Sequence, residues 1–333
     1  MVVTSRDVAR LAGVSQPTVS RALRDDTRVS VETRRRVKDA ARALGYVPSE
    51  TGRALSSGRT RRIGLLLTDL DNQFYAHIIA PIHRELEKLG YQLVLHTETV
   101  DGEKVAEHLI ANGLDGVILA TTTINSVAPL RLKSRGMPFV YFNRNGPLAD
   151  ADSALVDPTT GYLDAVAAIV GFGHVRIGAI LGPSDTSTAQ GREGALRAAL
   201  EAQGLVLPVT AVRRGPYSAA AGEAAAVDLL SGATPSTVLF CGNDVVAYGA
   251  LNAALKVGMR VPEDLSIIGF DDLPEAAWPI INLATIRYDI AGMARAAASV
   301  MVSRIENPDG PIERLVFDST FVLRRTLGAV PAR

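Results

Sequence analysis

The run Ser15-Gln16-Pro17-Thr18-Val19-Ser20-Arg21-Ala22-Leu23 gathers side chains suited to reading nucleic-acid base edges. Arginine presents a fork of donors that matches guanine in a major groove, and glutamine offers the donor and acceptor that adenine needs. The spacing predicts a short helix. Ser15 is a good N-cap, and Pro17 is tolerable because it falls in the first turn. Val19 and Leu23, four apart, can face a small core, which turns Gln16, Thr18, Ser20 and Arg21 outward. Residues 4–13 predict a preceding helix, with Val8, Leu11 and Ala12 at helical spacing, and Gly13-Val14 makes a tight turn between the two. The pattern is that of a helix-turn-helix.

Two short amphipathic helices around a glycine are common in α-rich domains, so charge has to decide. Residues 1–62 hold fourteen Lys and Arg against six Asp and Glu, a net of +8. The rest of the chain carries −8, which is why the whole is neutral. A basic head on an acidic body is the electrostatic footprint of a polyanion binder. A third helix is predicted over 31–44, with Ser30 as N-cap, Gly45 as stop and Val37, Ala40, Ala41 and Leu44 inward. Arg34, Arg35, Arg36 and Lys38 then face solvent or phosphate. Residues 48–60 are small, polar and basic, the composition of a linker.

A second group of chemically capable residues lies further on, at the ends of predicted strands. Strands are predicted over 63–68, 92–96, 116–120, 139–142, 176–181, 209–213, 237–241 and 266–270. Helices are predicted over 76–89, 103–112, 127–135, 162–170, 188–203, 219–230 and 244–257. Alternation of this kind, in two series, predicts two doubly wound parallel-sheet lobes. Ligands bind beyond the carboxyl ends of such strands. The residues there are Asp69, Asp71, Asn72, Phe74 and Tyr75, then Asn143 and Arg144, then Thr186, Thr188 and Arg192. Tyr217, Asn243, Asp244 and Asp271 complete the set. Aromatic faces with hydrogen-bonding groups suit a small polar ligand such as a sugar. The structural alternatives are plain: Asp244 as a helix cap, Asp271-Asp272 as a turn pair, Tyr75 as core.

Composition narrows the classes. At 333 residues, 47% hydrophobic and with a mean hydropathy of +0.16, the chain can build two or three domains with true cores. No run of 18 apolar residues offers a membrane span, and no basic-then-apolar leader precedes Thr4, so a cytoplasmic protein is expected. Cys241 is alone, and the five histidines show no metal-ligand spacing. No cofactor or metal is expected. Gly171-Phe172-Gly173 precedes a strand instead of following one, which argues against a dinucleotide site. No nucleophile–base pair or phosphate loop stands out for an enzyme. A transported-solute binder would share the body but would need an export signal and no basic head.

Asp7-Val8-Ala9, Ala12-Gly13-Val14-Ser15, Thr18-Val19-Ser20-Arg21-Ala22-Leu23, Val29-Ser30, Thr33-Arg34, Arg36-Val37 and Leu44-Gly45-Tyr46-Val47-Pro48 resemble the head of the lactose/purine repressor (LacI/GalR) family. Gly173-His174, Ile177-Gly178, Gly182-Pro183, Phe240-Cys241, Asn243-Asp244, Val261-Pro262, Asp264-Leu265-Ser266 and Ile268-Gly269-Phe270-Asp271-Asp272 resemble its effector domain, which is like a type I periplasmic binding protein. Nearly the whole chain is covered. The sequence departs at Arg24, where Asn is common, at Gly52 and Gln73, where Ala and Pro are, and at Ala195, where Gly is.

The resemblance implies an all-α helix-turn-helix head (1–47), a hinge helix or linker (48–60) and an α/β effector domain (61–333). Lobe one would take 61–157 and 283–311, lobe two 158–282 and 312–327. It implies a homodimeric DNA-binding regulator, most simply a repressor, on pseudo-palindromic double-stranded operator DNA. Gln16, Pro17 and Arg21 would meet base edges, with Thr18 beside them. Thr4, Ser15, Arg24 and Arg34 would hold phosphates. In the hinge, beside Arg53, Leu55 would wedge between minor-groove base steps. Gly52, costing about 1 kcal/mol in a helix interior, predicts a hinge less ordered without DNA than is typical. Phe74, Tyr75, Asn143, Thr188, Arg192, Tyr217, Asn243 and Asp271 would contact the effector, expected to be a carbohydrate. The alternative is an activator or corepressor-type regulator answering a nucleobase or nucleoside. Residues 283–288 and 292–305 are expected to return to lobe one, and 314–317 and 321–323 to finish lobe two. The single tryptophan, Trp278, is expected near the crossing between lobes.

Overall fold

The computed structural model describes residues 3–47, 59–68, 70–97, 103–232 and 235–330. The chain divides into two compact units, 1–60 and 61–333, each of which is described by itself.

In the first unit three helices follow one another: α1 (Ser5–Ala12), α2 (Gln16–Ala22) and α3 (Val31–Ala43). Each start is fixed by a side chain. The Asp7 carboxylate accepts from the Thr4 amide (3.0 Å) and hydroxyl (2.7 Å). Ser15 Oγ accepts from the Thr18 amide, and Ser30 Oγ accepts from the Thr33 amide. Gly13, at φ 64°, makes the left-handed turn after α1 that a Cβ would oppose. Val8, Val19 and Val37 are fully buried at the centre, with Ala12, Ala22, Val29, Ala40 and Ala41 around them. Leu23 packs against this core from its edge. Leu11 does not: it is 56% exposed, because three short helices enclose only one narrow apolar stripe of α1.

The second unit holds two six-stranded sheets. In chain order its elements are β1 (Arg62–Leu67), α4 (Gln73–Lys88), β2 (Gln92–Thr97), α5 (Glu103–Ala111), β3 (Gly116–Leu119), α6 (Ala128–Ser134), β4 (Phe139–Phe142) and β5 (Asp152–Asp157). Then come α7 (Thr159–Gly171), β6 (Ile177–Leu181), α8 (Ser187–Ala202), β7 (Val212–Arg214), α9 (Ala219–Leu230), β8 (Val238–Cys241), α10 (Asp244–Lys256) and β9 (Ser266–Asp271). The last are β10 (Ala284–Arg287), α11 (Ile290–Glu306), β11 (Arg314–Asp318) and β12 (Thr320–Val322). The first sheet runs β11-β5-β4-β3-β1-β2, the second β12-β10-β9-β8-β6-β7. All recorded pairings are parallel except β10 with β12. The central strands are buried on both faces, as Ile63, Leu65 and Leu67 in β1 and Ile267, Ile268 and Phe270 in β9 show.

The lobe boundaries differ from expectation. Residues 283–288 do not return to the first lobe: β10 pairs with β9 in the second sheet, Ala284 opposite Ile268. The chain crosses only after β10, when α11 packs on α4 and on β3, β4 and β5. Residues 314–318 in turn belong to the first sheet, where β11 pairs with β5, and only β12 goes back to the second. Both sheets thus take a late strand at the edge, because edge pairing satisfies backbone groups that would otherwise stay unpaired. Residues 209–213 begin as a single 3-10 turn (Val209–Ala211) before β7.

Strand β5 was not legible. Aspartates stand at both of its ends, which is poor strand composition. Asp152 is buried there because Arg304 of α11 meets both its oxygens, at 2.7 and 2.9 Å.

Candidate functional site: a basic helix face and an interlobe cleft

On the head, Pro17 and Arg21 stand one turn apart on α2, Arg24 follows in the turn just past its C-cap Leu23, and all three are exposed. The Arg21 guanidinium makes no hydrogen bond or ion pair among the described residues. Several neighbouring cations are already engaged: Arg10 with Asp7, Arg28 with Asp26 and Lys38 with Asp25. Arg28 holds the Asp26 carboxyl well below the usual carboxylate range. The other predicted contact residues have local roles too. Gln16 Nε2 donates to Ser5 Oγ at 2.8 Å, tying α2 to α1. Arg24 donates to Ser20 Oγ at 2.6 Å. Arg34 donates to the Asp25 carbonyl, pinning α3 to the turn before it. The Ser15 and Thr18 hydroxyls bond each other at 2.8 Å. Thr4, Ser15, Gln16 and Arg24 remain exposed, and Thr18 and Arg34 half-exposed, so these bonds orient the side chains without hiding them. Arg53 and Leu55 lie outside the described residues.

In the second unit, eight predicted side chains converge on one cleft between the lobes: Phe74, Tyr75, Asn143, Thr188, Arg192, Tyr217, Asn243 and Asp271. Asn72, Ala120 and Arg144 join them. The enclosed space is only about 20 Å³, room for about one water, so the lobes are nearly closed on the cleft in this conformation.

Each side chain is placed by the loop or helix start beyond a strand. After β1, Asn72 caps α4 by accepting from the Phe74 amide, and its Nδ2 donates across the cleft to the Tyr217 carbonyl at 3.0 Å. Phe74 and Tyr75 meet edge to face, with ring centroids 5.8 Å apart. After β4, Asn143 takes φ 61°, a left-handed turn that aims its neighbour Arg144 into the cleft. Thr186 caps α8 and so fixes Thr188 and Arg192 one turn on. Asn243 caps α10 through the Val246 amide. Tyr217 packs against Gly182. A Cβ there would sit 2.1 Å from the ring, so only glycine lets it in.

At the floor, Arg192 and Asp271 are 5% and 2% exposed and pair at 3.0 Å. Arg192 also donates to the Gly242 carbonyl and lies 3.8 Å from the Phe270 ring centroid. Burial pushes the Asp271 carboxyl up to about 6, against the pull of Arg192, the Tyr288 hydroxyl and Asn243. It is therefore ionised near neutrality but close to titrating. Tyr288, from the segment after β10, was not foreseen; nothing local in the sequence marks it. Asn72 and Arg144 were visible at strand ends, but the family resemblance did not single them out.

Asp244 is neither cap nor cleft residue. Fully buried, it accepts from the Leu273 amide at 2.7 Å and the Thr285 hydroxyl at 2.6 Å, and burial raises its carboxyl well above the usual range. Cys241 is buried, and among the described residues no cluster of ligating side chains could hold a metal. No helix among them is long and apolar enough to cross a membrane.

Two buried polar atoms of the cleft have no partner among the described residues, the Tyr217 hydroxyl and Asn143 Oδ1. The lobes otherwise touch around it through Asn145 N to Ser187 Oγ (2.9 Å), Ile124 N to the Asp185 carbonyl (2.9 Å) and His77 to Glu275 (3.2 Å). Glu275 lies three residues before Trp278, which is half-exposed.

Residues 4–49 match the family described as "Bacterial regulatory proteins, lacI family", and residues 166–327 match "Periplasmic binding protein-like domain". The HTH-type transcriptional repressor CytR of Escherichia coli (strain K12) is 31% identical over 334 residues, covering 98% of this chain and 97% of that protein. Among solved structures, the Lac repressor dimer bound to operator and the anti-inducer ONPF superposes with a TM-score of 0.86 at 25% identity, over 99% of this chain and 100% of that one. The complex of the transcriptional regulator CelR with cellobiose reaches 0.75 at 30% identity, over 98% and 100%. A basic helix-turn-helix head joined to a two-lobed sheet unit, matched along almost its full length, places this chain in the lacI family of DNA-binding transcriptional regulators.

Proposed function

We propose that the chain is a homodimeric repressor whose grip on a pseudo-palindromic operator is set by a small polar effector, a carbohydrate or carbohydrate derivative, held between the lobes. Arg21, with Gln16 and Pro17 beside it, reads base edges. Thr4, Ser15, Thr18, Arg24 and Arg34 fix the register on phosphates and sugars. Arg53 and Leu55 act in the minor groove at the operator centre. Phe74, Tyr75 and Tyr217 cover the effector's apolar faces, and Asn143, Thr188, Arg192, Asn243 and Asp271 bond its polar groups.

The observation that carries this reading is the pair of unpartnered buried atoms, the Tyr217 hydroxyl and Asn143 Oδ1, on opposite lobes of one cleft. Buried polar groups are normally bonded, so a ligand bridging the lobes is the economical partner. Similar solved structures agree in kind: one is a repressor dimer bound to operator, another a regulator in complex with cellobiose. A ligand that bridges lobes changes their angle, and angle at the lobes is linked reciprocally to affinity at the heads.

The test is a thermal-shift screen of the whole protein against sugars, polyols, sugar acids, sugar phosphates and nucleosides, followed by operator titration with each hit. A ligand at 100 times its Kd adds about 2.7 kcal/mol to the stability of the unit that binds it. A hit that also changes operator affinity supports the reading. A hit that leaves operator affinity untouched sinks the regulatory part, and a nucleoside hit would replace the carbohydrate assignment.

A further inference from the structure

Three of the side chains lining the cleft are charged: Arg192, Asp271 and Arg144. Arg192 and Asp271 neutralise each other at 3.0 Å. Arg144 has no such counterpart. Its hydrogen bond is a long one, Nη1 to the Thr121 carbonyl at 3.4 Å, and its guanidinium lies 5.8 Å from the Tyr217 ring centroid. It forms no ion pair among the described residues, although it is partly withdrawn from water. A guanidinium stays charged throughout the working pH range. Among the described residues lining the cleft, one positive charge therefore has no counter-ion.

The groups around that charge are short of acceptors. Arg144 has most of its donor fork unused. The Tyr217 hydroxyl beneath it is buried and unpartnered. The Thr188 hydroxyl has only a marginal bond, 3.5 Å to Thr186 Oγ1. A neutral sugar would satisfy the hydroxyls but leave the guanidinium half-desolvated and unpaired. An oxyanion satisfies all three, since arginine pairs bidentately with carboxylate and phosphate and such bonds are about twice as strong as neutral ones.

We infer that the effector is acidic, a sugar derivative carrying a carboxylate or phosphate group, and that Arg144 with the Tyr217 hydroxyl selects it over its neutral parent. The inference rests on the cleft being the effector site, as proposed above. Arg144 acts here as a specificity-determining residue, and Arg192 and Asp271 hold the uncharged part of the ligand.

The experiment measures binding to the whole protein by calorimetry and thermal shift, using matched series: glucose, gluconate and glucose 6-phosphate, and ribose, ribonate and ribose 5-phosphate. Inorganic phosphate serves as the minimal anion. The expected result is that an acidic member binds at least tenfold tighter than its neutral parent, and that R144Q removes that difference while R144K restores part of it. Which acidic member wins separates the carboxylate from the phosphate. Unliganded melting temperatures of the variants close to wild type show that they fold. Equal or tighter binding of a neutral sugar overturns the inference and leaves the effector cleft standing. Acidic binding that R144Q does not weaken overturns the role of Arg144. Silence from every compound overturns the inference together with the carbohydrate assignment it rests on.

Discussion

Arg21 and Arg192 are the same residue type, each on a helix beyond a turn, and burial alone separates their chemistry. Arg21 is exposed and makes no hydrogen bond or ion pair among the described residues, so its net worth is small until a partner arrives. Removing it costs the fold little, so its effect belongs to recognition. R21A is expected to erase preference for the operator over random DNA, a loss of about 1–3 kcal/mol per bidentate base contact, while weak salt-sensitive binding persists. Competition binding at two salt concentrations checks this, and unchanged preference refutes the assignment of α2. Arg192 is locked to Asp271 instead, and stays charged while the carboxyl titrates. The Asp271 carboxyl is raised to about 6 by burial. A ligand that needs the carboxylate should bind fully above pH 7 and lose affinity as pH falls through 6. The sign for folding is opposite: a raised native value means the fold holds the proton more readily than the unfolded chain, so between about pH 4 and 6 this group adds stability as pH falls. Ligand titrations across that window, beside denaturation of wild type and D271N, separate the two slopes.

Elements obeyed local rules wherever local residues could satisfy them. Ser15, Ser30, Thr186, Ser218 and Asn243 cap their helices as their types predict. Strand β5 broke the rule because its support comes from 152 residues away. Asp152 is legible as a core residue only once Arg304 is seen against it. D152A should leave the Arg304 guanidinium, 16% exposed, without its counter-ion and cost about 3 kcal/mol of the second unit's stability. Chemical denaturation measures it. A loss below about 1 kcal/mol would mean that the carbonyls of Pro308, Gly310 and Pro311, which Arg304 also binds, suffice alone.

At the scale of the molecule, the proposed function requires the sheet unit to bias the heads. Effector coupling of the usual size, about 1–3 kcal/mol, would change operator affinity roughly 5- to 150-fold. If the segment joining the units carries that coupling through a minor-groove wedge, L55A should lower operator affinity and reduce DNA bending together, as a wedge must unstack a step to bend it. Gel-shift assays on circularly permuted fragments test this, and bending that survives L55A assigns the wedge elsewhere. The Trp278 indole, exposed and three residues beyond the Glu275 that meets His77 of the other lobe, gives an intrinsic fluorescence readout of closure in the same titrations.

The sequence by itself determined the helix-turn-helix, the two-lobed alternation of strands and helices, and the residues at strand ends. These follow from short-range periodicity, caps and turns, which nearby residues decide. Tertiary structure alone decided which sheet each late strand joins, because β10, β11 and β12 carry no local mark of their partners. It alone showed that Arg192 and Asp271, 79 residues apart, are bonded to each other, whereas Arg144 meets no carboxylate among the described residues. Charge balance in a cleft depends on distances between side chains brought together from two lobes, and no local pattern encodes those distances.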